Sequence, residues 1–256
     1  MTGAIRRMAA LLSFVAALSV LGAALGQEQS KPAQLDPAEE TAIRELVREY
    51  LVTHPEVVVE AIRIYQQRQK VAEEERKRES LKLQQAAIFD NPHDPIIGNP
   101  DGDVVIVEFF DYRCGYCRSV ANRLRDAAKG DGGIRLVMKE FPILGPDSQF
   151  AARAALASVK QGLYETYHFA MMNAKGNLDK NAVLAIATEV GLDVQRLQRD
   201  MGASEIDGLL RHNFELAEML DINGTPAFII GDEIIPGAID METLRDKVAQ
   251  VRSKSS

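Results

Sequence analysis

The chain has 256 residues and a formal net charge of −7, with 46% hydrophobic and 26% charged residues. This ordinary globular composition excludes a chain that is disordered throughout, and it allows one good-sized domain with an appendage. The acidic balance disfavours nucleic acid and anionic membrane surfaces, so we expect no nucleic-acid partner.

The chain begins with the layout of a secretory signal peptide, predicted over residues 1–26. Arg6-Arg7 gives a basic start, and an almost wholly apolar run continues to Ala24. Ala24-Leu25-Gly26 is a small-x-small cleavage site before a polar residue. An uncleaved membrane anchor is the alternative, but the apolar run is short for a span of ~20 residues. We therefore expect cleavage and export.

Residues 27–88 are predicted to form a helical segment and linker. Thr53-His54-Pro55-Glu56 predicts a break between two helices, with Thr53 and Glu56 forming a capping box for the second. The first helix has an apolar stripe at i, i+3, i+4, i+7 and i+8, formed by Ile43, Leu46, Val47, Tyr50 and Leu51. Because two short helices are not stable alone, we expect an oligomerisation segment. The alternative is docking onto the main domain, which would give a monomer.

Residues 89–256 are predicted to form an α/β domain. A strand, a helix closed by Gly130 and a second strand with short connections predict a parallel βαβ unit, over Val104–Phe110, Cys117–Lys129 and Ile134–Phe141. A helical insertion is expected at about 146–221. A hairpin that turns at Gly231-Asp232 and a closing helix complete the domain, over Thr225–Ile230, Glu233–Ile235 and Met241–Val251.

The only two cysteines of the chain form the sequence Cys114-Gly115-Tyr116-Cys117, where a predicted strand meets a predicted helix. A helix N-terminus stabilises a thiolate through its free amides and its dipole, which lowers the pKa of Cys114 and makes it the nucleophile. Cys117 lies close enough to resolve a mixed disulfide. Two cysteines this close are typical of redox chemistry rather than of a structural disulfide framework.

Other roles for the cysteine pair have less support. Zinc needs four ligands, and the four histidines are widely scattered. Haem attachment needs histidine after the second cysteine, where Arg118 stands. Binding of Cu(I) by the two soft thiolates is the alternative from a different class. The pair Met171-Met172 is interpreted as core filling rather than as copper ligands.

Three motifs resemble the DsbA-like branch of the thioredoxin superfamily, from about residue 90 to the C-terminus. They are Glu-Phe-Phe-Asp-Tyr-Arg-Cys-Gly-Tyr-Cys at 108–117, Lys-Glu-Phe-Pro-Ile-Leu-Gly at 139–145 and Asn-Gly-Thr-Pro-Ala-Phe at 223–228. The helical segment at 46–62 is similar to the N-terminal part of ScsC-like proteins. Those are periplasmic relatives linked to copper tolerance, and some of them are trimeric disulfide isomerases.

The resemblance implies a thioredoxin-like fold with a helical insertion. It also implies that Thr225-Pro226 is a cis-proline loop that binds substrate beside Gly115-Tyr116. Glu108 matches the family's buried acid, which assists proton transfer at the inner cysteine; a solvent-facing position at a strand edge is the alternative. No cofactor is implied beyond the redox-active pair Cys114–Cys117.

The sequence departs from the strongest oxidants of the family at the two residues between the cysteines. The strongest oxidants of the family have Pro-His there, whereas this chain has Gly115-Tyr116. Without a histidine to stabilise the reduced thiolate, we expect a less oxidising pair and hence an isomerase or reductase. A DsbA-like oxidase is the alternative. The expected partners are misfolded or unfolded secreted proteins, a membrane thiol reductase and further copies of the chain, a trimer by resemblance, in the periplasm.

Overall fold

A computed structural model describes residues 36–255, so the predicted signal peptide lies outside the described residues. The described chain divides into two compact units, one ending at Gln66 and the other beginning at Gln67. No helix between residues 36 and 255 combines the length and apolarity needed to cross a bilayer.

The first unit consists of helix α1 (Pro37–Thr53) and the start of helix α2 (Pro55–Leu83), which confirms the predicted break. The side chain of Asp36 caps α1 by accepting hydrogen bonds from the amides of Ala38 and Glu39 at 2.8 and 2.9 Å. The predicted role of Thr53 is wrong. Its hydroxyl donates back to the Glu49 carbonyl at 2.7 Å, inside α1, so it does not cap α2.

Helix α1 contains no buried residue. All five members of the apolar stripe are exposed, by between 38% for Leu51 and 67% for Leu46. Several apolar residues at the start of α2 are exposed as well, namely Val58, Val59, Ile62, Ile64 and Tyr65. Soluble proteins rarely leave so much contiguous apolar surface in water unless it is an interaction site.

The second unit is built on a five-stranded sheet in the order β1-β3-β2-β4-β5. The strands are β1 (Ile96–Gly98), β2 (Val104–Phe110), β3 (Ile134–Glu140), β4 (Ala227–Ile230) and β5 (Glu233–Pro236). Strands β2 and β3 are parallel, as predicted, and the other pairs are antiparallel. Strand β1 was not predicted, because it is only three residues long and buries a single side chain.

Helices surround this sheet and include the predicted insertion. They are α3 (Gln85–Phe89), α4 (Gly115–Asp131), α5 (Pro146–Ser158), α6 (Tyr164–Met172), α7 (Lys180–Glu189), α8 (Val194–Asp200), α9 (Ser204–Met219) and α10 (Met241–Ser255). Helix α4 ends at Gly132 rather than at the predicted Gly130. Gly132 has the left-handed conformation (φ 73°) that favours glycine after a helix.

The core lies on both faces of the sheet. One cluster packs Ile106 and Phe110 of β2 against α4, α6 and neighbouring helices, and it includes Met171 and Met172, which confirms that they fill the core. The opposite cluster contains Val107 and Phe109 of β2 together with Leu81, Ile88, Leu216 and Ile229. Alternating residues of β2 therefore contact opposite layers, as the two-residue period of a strand requires.

Two basic side chains of β3 hold the segment that precedes the sheet. Lys139 is fully buried, forms an ion pair with buried Asp94, and donates to the Ala87 carbonyl at 2.7 Å. Arg135 donates to the Phe89 carbonyl at 3.1 Å. Since the last carbonyls of a helix lack partners within the helix, these bonds fasten the end of α3 to β3.

Loss of the lysine charge is expected to destabilise the fold. Replacing Lys139 by Met leaves the Asp94 carboxylate buried without a partner, which typically costs about 3–5 kcal/mol. Urea denaturation followed by circular dichroism measures this free energy of unfolding. The double variant Asp94→Leu/Lys139→Met is expected to recover most of the loss, because no unpaired ion remains. Lys254→Met, which breaks the exposed pair with Asp232, is the matched control and changes stability little.

Candidate active site

The cysteine pair lies where central strand β2 passes into α4. The Cys114 amide donates to the Asp111 carbonyl at 3.1 Å, which closes a tight turn after the strand. Cys114 is the N-cap residue of α4, and its Sγ accepts a hydrogen bond from the Cys117 amide at 3.4 Å. The sulfur thus takes the place of the side-chain oxygen that usually caps a helix.

The two thiols are free and differ in environment. The hydrogen bond from the Cys117 thiol lowers the pKa of Cys114 to about 5, and bonds from Thr225 and from the amides of Cys117 and Tyr116 act in the same direction, while burial opposes them. The pKa of Cys117 is raised, first by that same hydrogen bond, then by burial and by Glu108. Cys114 is therefore poised as a thiolate at neutral pH, and Cys117 as a thiol.

Glu108 lies on β2 under α4, opposite Met138 of β3 and Phe228 of β4. It is only 3% exposed, which excludes the solvent-facing position at a strand edge. Its Oε1 is buried without a hydrogen-bond partner. Burial, and to a smaller extent the charge of Cys114, raise the pKa of Glu108 to about 8. A group with this pKa exchanges protons readily near neutral pH.

The loop before β4 borders the same sulfur. The Thr225–Pro226 peptide bond is cis, and the Thr225 carbonyl oxygen lies 3.2 Å from Cys114 Sγ, where it accepts a hydrogen bond when Cys114 is a protonated thiol. The Gly237 amide donates to the Pro226 carbonyl at 2.8 Å, which ties the loop to the end of β5. Residues separated by more than a hundred positions in sequence thus meet at one sulfur atom.

The two residues between the cysteines face outward. A Cβ atom at Gly115 would contact no atom within 4 Å, and the Tyr116 side chain is 71% exposed. The fold therefore brings the predicted substrate-binding residues Gly115, Tyr116, Thr225 and Pro226 around Cys114.

A buried polar cluster around Glu140, at the end of β3, was not predicted from the sequence. The hydroxyls of Tyr112 and Tyr164 both donate to Glu140 Oε1 at 3.0 Å, and the Tyr112 oxygen lies 3.0 Å from His168 Nδ1. Burial raises the pKa of Glu140 well above its usual range and lowers that of His168 to about 3, so the imidazole is neutral. The only signal in the sequence is an acid at the end of an apolar strand.

The contacts of Asp111 were not predicted from the sequence either, although Asp111 lies inside the motif at 108–117. It is buried and accepts three hydrogen bonds, from the Arg113 and Leu144 amides and the Ser148 hydroxyl. Two of these donors lie more than 30 residues along the chain, so no local pattern indicates the contact.

Within residues 36–255, no group of three or more histidine, cysteine or acidic residues is placed to hold a metal ion. A Cu(I) ion at this site would therefore depend on the two sulfurs of Cys114 and Cys117.

Comparison with known proteins places this geometry in a family. Residues 105–249 match the DSBA-like thioredoxin domain, and residues 39–72 match the copper resistance protein ScsC N-terminal domain. A thioredoxin-like oxidoreductase from Silicibacter pomeroyi DSS-3 is similar at 45% identity and a TM-score of 0.65, over 66% of this chain and 97% of that chain. The structure of Proteus mirabilis ScsC in a transitional conformation is similar at 30% identity and a TM-score of 0.64, over 86% of this chain and 100% of that chain.

A curated relative is much longer than this chain. The Na(+)/H(+) antiporter NhaA 3 of Salinispora tropica is 25% identical over 157 residues, which are 60% of this chain and 24% of the antiporter. This chain thus spans about a quarter of that protein, and the similarity carries no statement about transport.

The solved structures confirm the predicted thioredoxin-like fold, and the first family match covers more than half of the chain. The chain therefore belongs to the DSBA-like thioredoxin-domain family of thiol-disulfide oxidoreductases, and it carries an N-terminal segment of the ScsC type.

Proposed function

We propose that this protein is a periplasmic disulfide isomerase or reductase that acts on misfolded secreted proteins as a homo-oligomer. The observation that carries the thiol–disulfide chemistry is the division of labour between the cysteines, with a low pKa at Cys114 and a raised pKa at buried Cys117. The choice of isomerase or reductase over oxidase rests on Gly115-Tyr116, which puts no histidine between the cysteines. Only a thiolate attacks a disulfide, so Cys114 is the nucleophile and Cys117 waits as a thiol.

The first step joins the enzyme to its substrate. The Cys114 thiolate attacks one sulfur of a substrate disulfide, an enzyme–substrate S–S bond forms, and the other substrate sulfur leaves as a thiolate. In isomerisation this thiolate attacks another substrate disulfide, and a later substrate thiolate releases Cys114 unchanged. No net oxidation or reduction takes place, so the pair must be reduced at the start.

The second cysteine rescues complexes that stall. Cys117 gives its proton to the Glu108 carboxylate and attacks Cys114 Sγ, which releases the reduced substrate and leaves a Cys114–Cys117 disulfide. Two electrons pass to the substrate in this step. An external dithiol must return them, and we assign that task to a membrane thiol reductase.

Substrate binding is assigned to the residues around the sulfur. The Thr225-Pro226 loop offers backbone groups to an extended chain, and Gly115 leaves the approach to the sulfur open. The exposed Tyr116 ring provides an apolar surface with a hydroxyl at its edge. Such contacts recognise the unfolded backbone and flexible apolar residues rather than a particular sequence.

The apolar stripe supports the oligomeric state. Two helical turns of exposed Ile, Leu, Val and Tyr side chains in α1 fit a helix–helix contact between copies of the chain. Joining several catalytic domains presents more than one nucleophile to a single misfolded substrate, which favours repeated rearrangement of its disulfides.

Single-cysteine variants separate isomerase from oxidase activity. With a scrambled multi-disulfide protein as substrate, the wild type is expected to restore substrate activity and Cys114→Ser to restore none. Cys117→Ser is expected to keep part of the isomerase activity but to accumulate mixed disulfides, because it lacks the resolving thiol. Rapid oxidation of a reduced substrate by the disulfide form, without recovery of the scrambled one, would instead indicate a DsbA-like oxidase.

Replacing Glu108 tests proton transfer. Since the carboxylate form accepts the Cys117 proton, the decay rate of the mixed disulfide should rise with pH through about 8, the pKa of Glu108. Glu108→Gln is expected to slow this decay about 10²-fold and to remove the inflection. Single-turnover quenching measures the rate, and Glu165→Gln makes the same change on the surface as a control. An unchanged pH profile in Glu108→Gln contradicts the relay.

The same acid has a signature in stability. Its folded-state pKa of about 8 lies above the ordinary glutamate pKa of 4.5 in the unfolded chain, so the folded protein binds one more proton than the unfolded chain between these pH values. Stability from this group is therefore present below about pH 4.5 and is lost as the pH rises towards 8. Glu108→Gln should flatten this part of the stability–pH curve.

A charge on the apolar stripe tests the oligomer. Leu46→Glu places a carboxylate where we expect two helices to meet, so sedimentation equilibrium should show dissociation towards monomers with an intact catalytic domain. Gln66→Glu adds the same charge at another exposed position and should leave the assembly unchanged. A wild-type protein that sediments as a monomer removes this part of the proposal.

A further inference from the structure

Asp111 is a buried acid that the reaction steps above do not use. It lies three residues before Cys114 and is 1% exposed. Its Oδ1 accepts hydrogen bonds from the Arg113 amide and the Ser148 hydroxyl, both at 2.8 Å, and its Oδ2 accepts one from the Leu144 amide at 3.0 Å. A buried carboxylate is costly unless it is well bonded, and three donors meet that requirement here.

Two of the hydrogen bonds of Asp111 define the turn that carries the nucleophile. The side chain accepts from the Arg113 amide, two residues ahead, and the backbone carbonyl accepts from the Cys114 amide at 3.1 Å. Aspartate favours turns through such local bonds. They place Cys114 at the N-cap of α4, where its sulfur faces the Cys117 amide.

The other bonds of Asp111 join this turn to the loop after β3. Leu144 is held at both backbone groups, since its amide donates to Asp111 and its carbonyl accepts from Arg113 Nη1 at 3.3 Å. Ser148 at the start of α5 provides the second anchor. We call these four residues, Asp111, Arg113, Leu144 and Ser148, the Asp111 clamp.

The clamp and the negative charge of Asp111 are expected to act on the thiolate of Cys114 in opposite directions. A carboxylate near a thiol disfavours the thiolate by charge repulsion, so charge alone would make Cys114 less reactive. A turn fixed in the right geometry favours the thiolate, because the first amides of α4 point at the sulfur. The two effects have opposite signs, and a substitution that removes both shows which is larger.

We propose that Asp111 is a positioning residue that ties the turn at 111–114 to the loop at 144–148 and so holds Cys114 where the amides of α4 activate its sulfur. This inference rests on the proposed role of Cys114 as the nucleophile. The segment after β3 thus contributes to the reactivity of Cys114, which lies in the turn after β2.

The test is the pH dependence of Cys114 alkylation by iodoacetamide in the full reduced chain. In Asp111→Asn the side chain keeps one acceptor oxygen, so one of the three donors faces an amide N–H instead. The pKa of Cys114, about 5 in the wild type, is expected to rise by about one unit, a tenfold change in the ionisation equilibrium. Loss of the negative charge of Asp111 alone would lower the pKa of Cys114.

Two further variants separate geometry from charge and from general stability. Ser148→Ala removes one clamp bond without changing any charge, and a smaller rise in the pKa of Cys114 is expected. Asp147→Asn removes a half-buried carboxylate next to Ser148 in α5, which lies 3.7 Å from Arg113 Nη1 but makes no bond to Asp111, and should leave the pKa of Cys114 unchanged.

An unchanged or lowered pKa in folded Asp111→Asn overturns the proposal. Should that variant fail to fold, Ser148→Ala decides alone, because a rise supports positioning and no rise refutes it. A merely structural role would lower the melting temperature without moving the alkylation profile. Alkylation needs no protein substrate, so this result stands apart from the question of isomerase or oxidase activity.

Discussion

The hydrogen bond from the first turn of α4 to the Cys114 sulfur is the interaction on which the rest of the site depends. A helix N-terminus offers amides without partners, and here one of them finds a sulfur instead of an oxygen. This position stabilises the sulfur more as a thiolate than as a neutral thiol. The hydrogen bond between the two thiols, which is the largest cause, and this amide together make two chemically identical side chains into different reagents, one ionised at neutral pH and the other protonated.

Strands β2 and β3 and the turn after β2 bury three acids, and each is accommodated differently. Asp111 accepts hydrogen bonds from three donors. Glu140 shares one oxygen between two tyrosine hydroxyls. Glu108 has a buried oxygen without a partner and a pKa near 8. A carboxyl group that no donor stabilises is the one that exchanges a proton most easily, and it is also the one that affects Cys117.

The parts of the fold that could be predicted are those set by local pattern. The βαβ unit and the cysteine pair at a helix start follow from apolar runs and spacing. The prediction was wrong where a side chain had a second hydrogen-bond partner within reach. Thr53, predicted to cap α2, instead donates its hydroxyl hydrogen back into α1. Contacts such as Lys139–Asp94 and Asp111–Ser148 were missed, because their partners lie more than 30 residues apart and have no period. The cis-proline loop was predicted only through family resemblance.

The bonds from Lys139 and Arg135 to the end of α3 also fix where the segment before the sheet is attached. Ile88 of α3 and Leu81 of α2 pack on the sheet face opposite the cluster that contains Cys114 and Cys117. The segment that leads into the sheet is therefore attached by two side-chain bonds to β3 and by apolar contacts that include Val107 and Phe109 of β2. Leu81 and Ile88 thus cover one face of the sheet and the cysteine pair lies against the other, so attachment of the preceding segment and thiol chemistry use separate surfaces of the same β2 strand.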